Sequence, residues 1–261
     1  MRVNFLTLLL LFGLSAQAQT DAFEKRSYTG KKGNVLSYRL LYPKNYDKKA
    51  KQKYPLVLFL HGAGERGNDN EKQLTHGSKL FLSEKNRADF PAFVVFPQCP
   101  QESYWSSVQI DRSKRPMVFT YNYRQNDITW PLQSALDLVR QLAKDERVDK
   151  RRIYIMGLSM GGMGTFEAIS RQPKRFAAAA PICGGGDTTY VKKYARRMPL
   201  WVFHGDADDV VPVALSRQMV RNIQNVGGTV QYTEYPGVNH NSWDKAFAEP
   251  NLLIWLFGRQ K

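Results

Sequence analysis

A chain of 261 residues, 43% hydrophobic and 12% aromatic, is long enough to bury one large core and too short for two domains of ordinary size. Lys and Arg number 38 against 23 Asp and Glu, a net charge of +15. This fits a soluble basic surface, with anionic polysaccharide or lipid headgroups as its alternative partners, and the lack of any nucleic-acid reader motif argues against DNA or RNA.

In chain order, the first element reads as an export signal. Arg2 precedes the apolar run Phe5 to Leu14, and Ala16-Gln17-Ala18 supplies small residues where a signal peptidase reads them. Residues 1–18 are therefore expected to be a cleaved signal peptide, and residues 19–261 the working domain. The run falls short of the roughly 20 residues that span a bilayer, and no later stretch is apolar enough, so no stable membrane insertion is expected.

Glu24 to Thr29 and Val35 to Tyr42 alternate like strands, with turn chemistry between them at Gly30-Lys31-Lys32-Gly33-Asn34, which predicts an antiparallel hairpin. Continuous apolar runs follow at Pro55–Leu60, Ala92–Phe96, Arg152–Met156 and Leu200–Phe203, with a softer one at Ala177–Ile182. Such runs suit strands buried on both faces. Leu132, Ala135, Leu136, Val139 and Leu142 stand at helical spacing, as do Leu215, Met219, Val220 and Ile223. Thr229 to Tyr235 reads as a last strand, and Trp243 to Phe257 as a helix interrupted near Pro250. Alternating strands and helices predict an α/β fold, a mostly parallel sheet of about eight strands covered on both faces. The longest irregular segment, Pro100 to Thr129, is rich in aromatics and is expected to be functional or separately structured. Cys99 and Cys183, the two cysteines, lie on strands expected to be apart and read as buried free thiols.

The run at Arg152–Met156 leads into Gly157-Leu158-Ser159-Met160-Gly161, and Met163 to Ser170 continues as a helix ending before Pro173. Strand, Gly-x-Ser-x-Gly and helix in that order hold a serine in a strained turn with its hydroxyl pushed out at the strand's end. Ser159 is the candidate nucleophile. It needs a base, itself oriented by a carboxylate. Of four histidines, His61 and His204 stand in His-Gly pairs at strand ends and His76 in a polar helical stretch; His240, in the loop between the last strand and the last helix, suits a mobile imidazole. Asp206, Asp208 and Asp209 share one loop after the strand at Leu200–Phe203, and only one should face the histidine.

The order serine, acid, histidine resembles the α/β-hydrolase fold, and the whole mature chain is similar to small secreted serine esterases of the phospholipase/carboxylesterase and dienelactone-hydrolase-like type, which include feruloyl and acetyl-xylan esterases. The family's loop His-Gly-x-x-Asp-x-x-Val-Pro, laid on His204 to Pro212, selects Asp208 and leaves Asp206 to organise the loop and Asp209 at the surface. The resemblance of His61-Gly62-Ala63 to the family's oxyanion segment assigns the N–H of Ala63, with Gly64 as second choice, alongside that of Met160. Gly64, Trp105 and Trp243 are the expected substrate contacts. The short stretch from Gly184 to Pro199, where relatives insert lids, implies no large lid domain. His61 has no second ligand at zinc spacing and reads as structural, so neither metal nor cofactor is expected. The expected substrate is a small-molecule or polysaccharide-linked ester. Rival readings are a serine peptidase on the same fold and a noncatalytic carbohydrate-binding or surface protein.

Overall fold

In the computed structural model, which describes residues 21–261, the apolar runs pair into one eight-stranded sheet. The expected signal peptide lies outside the described residues. The strands are β1 (Phe23–Thr29), β2 (Val35–Leu41), β3 (Tyr54–Leu60), β4 (Phe93–Pro97), β7 (Val148–Leu158), β8 (Ala178–Ile182), β9 (Leu200–Gly205) and β10 (Val230–Tyr235), while β5 (Gln109–Asp111) and β6 (Val118–Thr120) form a separate ribbon. The large sheet runs β1-β2-β4-β3-β7-β8-β9-β10. β1 and β2 are the expected antiparallel hairpin, β2 is antiparallel to β4, and every pairing from β4 to β10 is parallel.

The helices are α1 (Ser78–Leu82), α2 (Glu84–Asp89), α3 (Trp130–Asp145), α4 (Met160–Arg171), α5 (Val213–Asn225), α6 (Trp243–Phe247) and α7 (Leu252–Phe257). Side chains alternate across a strand, so each apolar run feeds two cores. Leu56, Leu58 and Leu60 join Leu136, Val139, Phe166, Ile169 and Met219 of α3, α4 and α5 on one face. Val57 and Phe59 meet Phe81, Leu82, Leu253 and Leu256 of α1 and α7 on the other. Burying one such leucine is worth roughly 1.5–3 kcal/mol before packing is counted. No helix among the described residues is long and apolar enough to cross a membrane.

Two local features go beyond the sequence pattern. β7 begins at Val148, ahead of its apolar run, because Val148 pairs with Tyr54 before a register shift, leaving Lys150 and Arg151 exposed. α1 and α2 are too short to leave a helical period in the sequence. Cys99 and Cys183 are free and buried, at the ends of β4 and β8, which β3 and β7 separate.

The aromatic segment after β4 is fastened to α4. The fully buried Glu167 accepts hydrogen bonds from Ser106 Oγ (2.9 Å) and from the Ser107 backbone N–H (2.7 Å), and pairs with Arg171 at 2.9 Å. Asp187 Oδ2 accepts the N–H of Tyr123 at 2.9 Å. So tethered, the β5–β6 ribbon stands beside the carboxyl edge of the sheet. Between β8 and β9 the chain makes only a 3-10 turn at Thr188–Lys193, and no large lid is inserted there.

Candidate active site

Ser159 joins β7 to α4 at φ 53° and ψ −117°, a region L-residues seldom occupy. The strain persists because the elbow is wedged against β3: a Cβ at Gly161 would lie 1.9 Å from the carbonyl oxygen of Leu60. The backbone N–H of Ser159 donates to Ile182 O of β8 at 2.9 Å, fixing the turn from the other side.

The Ser159 hydroxyl reaches His240 Nε2 at 2.9 Å, and His240 Nδ1 reaches Asp208 Oδ2 at 2.8 Å. Asp208 Oδ1 accepts the N–H groups of Val210 (2.9 Å) and Val211 (2.8 Å). Burial alone would push this carboxyl up, but hydrogen bonds from His204, His240 and the Val211 N–H overcome it and hold Asp208 well below the usual carboxylate range. It is therefore an anion throughout the neutral range, able to fix the imidazole tautomer that leaves Nε2 open toward the serine. The loop bearing His240 lies against the end of β9, where a Cβ at Gly205 would stand 2.1 Å from Val238 O. Asp206 holds the same loop by accepting the Gly237 N–H at 2.6 Å, while Asp209 is exposed.

His204, which the sequence offered only as a His-Gly pair, stands directly behind this carboxylate. Its Nε2 lies 3.1 Å from Asp208 Oδ2 and 2.9 Å from Val211 O, two acceptors, so Nε2 carries the hydrogen. Its Nδ1 meets Ser216 Oγ at 2.7 Å. The signal for this role was present in the four-residue spacing from His204 to Asp208, but spacing on a loop fixes no direction. Cys183, at φ 40°, completes a cluster whose Sγ, carboxylate and imidazole atoms lie within 4.8 Å of one another. Burial pushes its thiol well up, so it stays protonated and is a poor metal ligand. The other two members are already engaged with each other and with Ser159.

A cleft of about 320 Å³ opens over Ser159 and His240. Ala63 and Gly64 line it, and a Cβ at Gly62 would approach that of Ser159 to 3.8 Å, so the His-Gly-Ala turn and the elbow meet at the serine. Met160 occupies the first position of α4, where an N–H has no partner within the helix and the helix dipole is positive. Trp243 lines the cleft and packs edge-on against His240, ring centroids 5.3 Å apart. His76, unassigned by sequence, joins the same wall, its ring 5.2 Å from that of Trp243 and its Nε2 3.7 Å from Glu65 Oε1.

The expected contact at Trp105 is corrected. Its side chain is fully buried, edge-on to His61 at 5.4 Å, and does not line the cleft. Its neighbour Tyr104 does, together with Ile110, Arg112, Met117 and Phe119 of the ribbon. Adjacent aromatics in a segment without period leave no sequence signal for which of them faces inward. His61 is also fully buried, its Nδ1–H donating to Gly62 O at 2.6 Å and its Nε2 accepting the Cys99 N–H at 2.9 Å, so it braces the turn that carries Ala63.

A model of the phospholipase/carboxylesterase family matches residues 45–251. A bifunctional acetylxylan esterase/xylanase of Neocallimastix patriciarum is 36% identical over 158 residues, which is 60% of this chain and 20% of that protein. A probable carboxylesterase of Oryza sativa subsp. japonica is 24% identical over 193 residues, 71% of each chain. The chain thus spans about a fifth of the length of the first of these relatives. Among solved structures, a thermostable esterase superposes with a TM-score of 0.83 at 38% identity, covering 94% of this chain and 64% of that one. A ferulic acid esterase shares the fold, with a TM-score of 0.69 at 17% identity over 90% of this chain and 98% of that one. With the sheet order, the elbow and the extent of the family match in agreement, the chain belongs to the phospholipase/carboxylesterase family and has the α/β-hydrolase fold.

Proposed function

We propose that the chain is exported and hydrolyses carboxylic esters through an acyl-enzyme on Ser159, acting on short-chain or carbohydrate-linked esters such as acetyl or feruloyl groups. One observation carries the reading: the unbroken relay Ser159 Oγ, His240 Nε2, His240 Nδ1, Asp208 Oδ2, with links of 2.9 and 2.8 Å. Export rests on the first 18 residues as read from the sequence. The carbohydrate-linked class is supported by the resemblance to a protein named as an acetylxylan esterase and by a cleft that a large lid does not close.

In the proposed reaction Ser159 Oγ attacks the ester carbonyl carbon while its proton passes to His240 Nε2. The carbonyl oxygen becomes an oxyanion held by the N–H groups of Met160 and Ala63; one such donor is typically worth about 10²–10³ in rate. The tetrahedral intermediate collapses, the alkoxide leaves with the proton from His240, and the acyl group remains on Ser159. Water then gives a proton to His240 and attacks the acyl carbon, and a second collapse releases the carboxylic acid and restores the serine hydroxyl. Asp208 stabilises each imidazolium. The test is a panel of 4-nitrophenyl acetate, methyl ferulate, acetylated xylo-oligosaccharides and short peptides with wild type and Ser159→Ala. Ester turnover should fall by about 10⁴ or more in the variant, and a fluorophosphonate probe should label only the wild type. Undiminished ester turnover by Ser159→Ala would refute the reading, and cleavage of peptides alone would favour a peptidase.

A further inference from the structure

The ribbon wall of the cleft carries a charge that hydrolysis of a neutral ester does not use. Arg112 lines the cleft together with Ser159 and His240. Arg26, Arg140, Arg152, Arg171 and Arg217 each have a carboxylate oxygen within 3.0 Å. Arg112 has no such partner among the described residues. The acid beside it in sequence, Asp111, is turned back into the hairpin, where Oδ1 accepts the Ser113 N–H at 3.0 Å and its hydroxyl at 2.6 Å. Among the described residues, the one carboxylate lining the cleft, Glu65, faces His76.

Arg112 is also held in place. Its Nη1 donates weakly to Met117 Sδ at 3.8 Å across the hairpin. The Arg115 guanidinium donates to the carbonyls of Arg112 (2.7 Å) and Lys114 (2.8 Å), which stiffens the turn that presents it. Arg112 further lies beside the Tyr104 phenol, which burial raises and the Arg112 and Arg66 charges draw back down. Arg66, over that ring at 5.8 Å, donates to the backbone carbonyls of Ala63, Gln101 and Ser103. Of the two guanidiniums flanking Tyr104, only Arg112 makes no hydrogen bond to a backbone carbonyl; apart from Met117 Sδ and the Tyr104 hydroxyl, its N–H groups have no partner among the described residues, beside the cleft that it lines.

We propose that Arg112 is an anion-recognition subsite, so that the preferred ester carries a carboxylate or comparable anion within reach of the scissile bond. A planar guanidinium with open N–H groups binds a carboxylate through two parallel hydrogen bonds. The anion sits either on the acyl part, as in a dicarboxylic half-ester, or on the alcohol part, as in an esterified uronic or aromatic acid. This inference rests on the esterase reading above.

Matched pairs test it. 4-Nitrophenyl hemisuccinate against 4-nitrophenyl butyrate reads the acyl side, and 4-acetoxybenzoate against 4-acetoxybenzamide reads the alcohol side. In the wild type, kcat/KM should favour the anionic member of one pair by about 10- to 100-fold at low salt, and the preference should shrink as salt is raised. Arg112→Gln should reduce that ratio to near one and Arg112→Lys should restore part of it, whereas Lys114→Gln, on the hairpin tip outside the cleft, should leave the ratio within about twofold. No anionic preference in either pair, or a preference unchanged in Arg112→Gln, overturns the subsite. Persistent turnover of both members by Ser159→Ala would instead defeat the esterase reading, so the two failures are distinct.

Discussion

His61 and His204 stand in the same dipeptide, His-Gly, at the carboxyl ends of two parallel strands, and neither exposes any surface. Their surroundings make them opposites. His61 hydrogen-bonds only to backbone, the Gly62 carbonyl and the Cys99 N–H, and burial outweighs the hydrogen bond to Gly62, so its pKa is lowered to about 4. His204 meets the Asp208 carboxylate and donates to it. A buried imidazole thus serves as a neutral brace under the turn that carries Ala63 in one place and as a hydrogen-bond donor to an anion in the other. The partner at Nε2 decides between them, and the dipeptide does not.

The largest effect is expected at Asp208. Asp208→Asn removes the anion that both His204 and His240 address, and the amide favours the wrong tautomer of His240. Turnover of a soluble ester should fall by about 10⁴ while the fold survives, read by steady-state kinetics alongside circular dichroism.

Next in size is the acid sensitivity of His61. Its folded pKa lies below the ordinary value of 6.5, so the unfolded chain binds the extra proton first. Stability from this group is complete above pH 6.5 and is lost as pH falls toward 4, by about 3 kcal/mol in all. Urea unfolding at pH 7, 5.5 and 4 should reveal the loss, and His61→Gln should flatten this part of the pH dependence whatever its stability at pH 7. An equally steep profile in the variant would remove His61 as the cause.

The smallest effect is expected at His204. His204→Gln retains a donor without imidazole geometry, and kcat should drop about tenfold with KM little changed. A rise in KM with unaltered kcat would place His204 in substrate binding and erase the contrast with His61.

Much of this fold was legible because burial on both faces writes itself as continuous apolar runs. Pro55–Leu60 and Arg152–Met156 could hardly be anything but inner strands, and Gly157 to Gly161 follows the second of them where a tight turn into a helix is required. The sequence order of Ser159, Asp208 and His240 matches their meeting at one edge because parallel strands deliver their ends there. Other contributions had no such imprint. Tyr104 and Trp105 are neighbours in an aperiodic segment, and which of them is buried depends on how Glu167 receives Ser106 and Ser107, some 60 positions away. Arg112 is one of 38 basic residues, and only the fold of the ribbon sets it apart. α1 and α2 are too brief to show a period.

The attachment at Glu167 has a consequence for how this scaffold could change its diet. The cleft wall is fastened to α4, the helix that follows Ser159, by contacts at Ser106 and Ser107, and at its far end by the Tyr123 N–H on Asp187. The ribbon residues that line the cleft, Ile110, Arg112, Met117 and Phe119, come later and make none of those contacts. A ribbon of foreign sequence spliced between Ser107 and Tyr123 would therefore hang over the same serine without redrawing the contacts beneath it, so the wall and the serine site can drift independently on one chain.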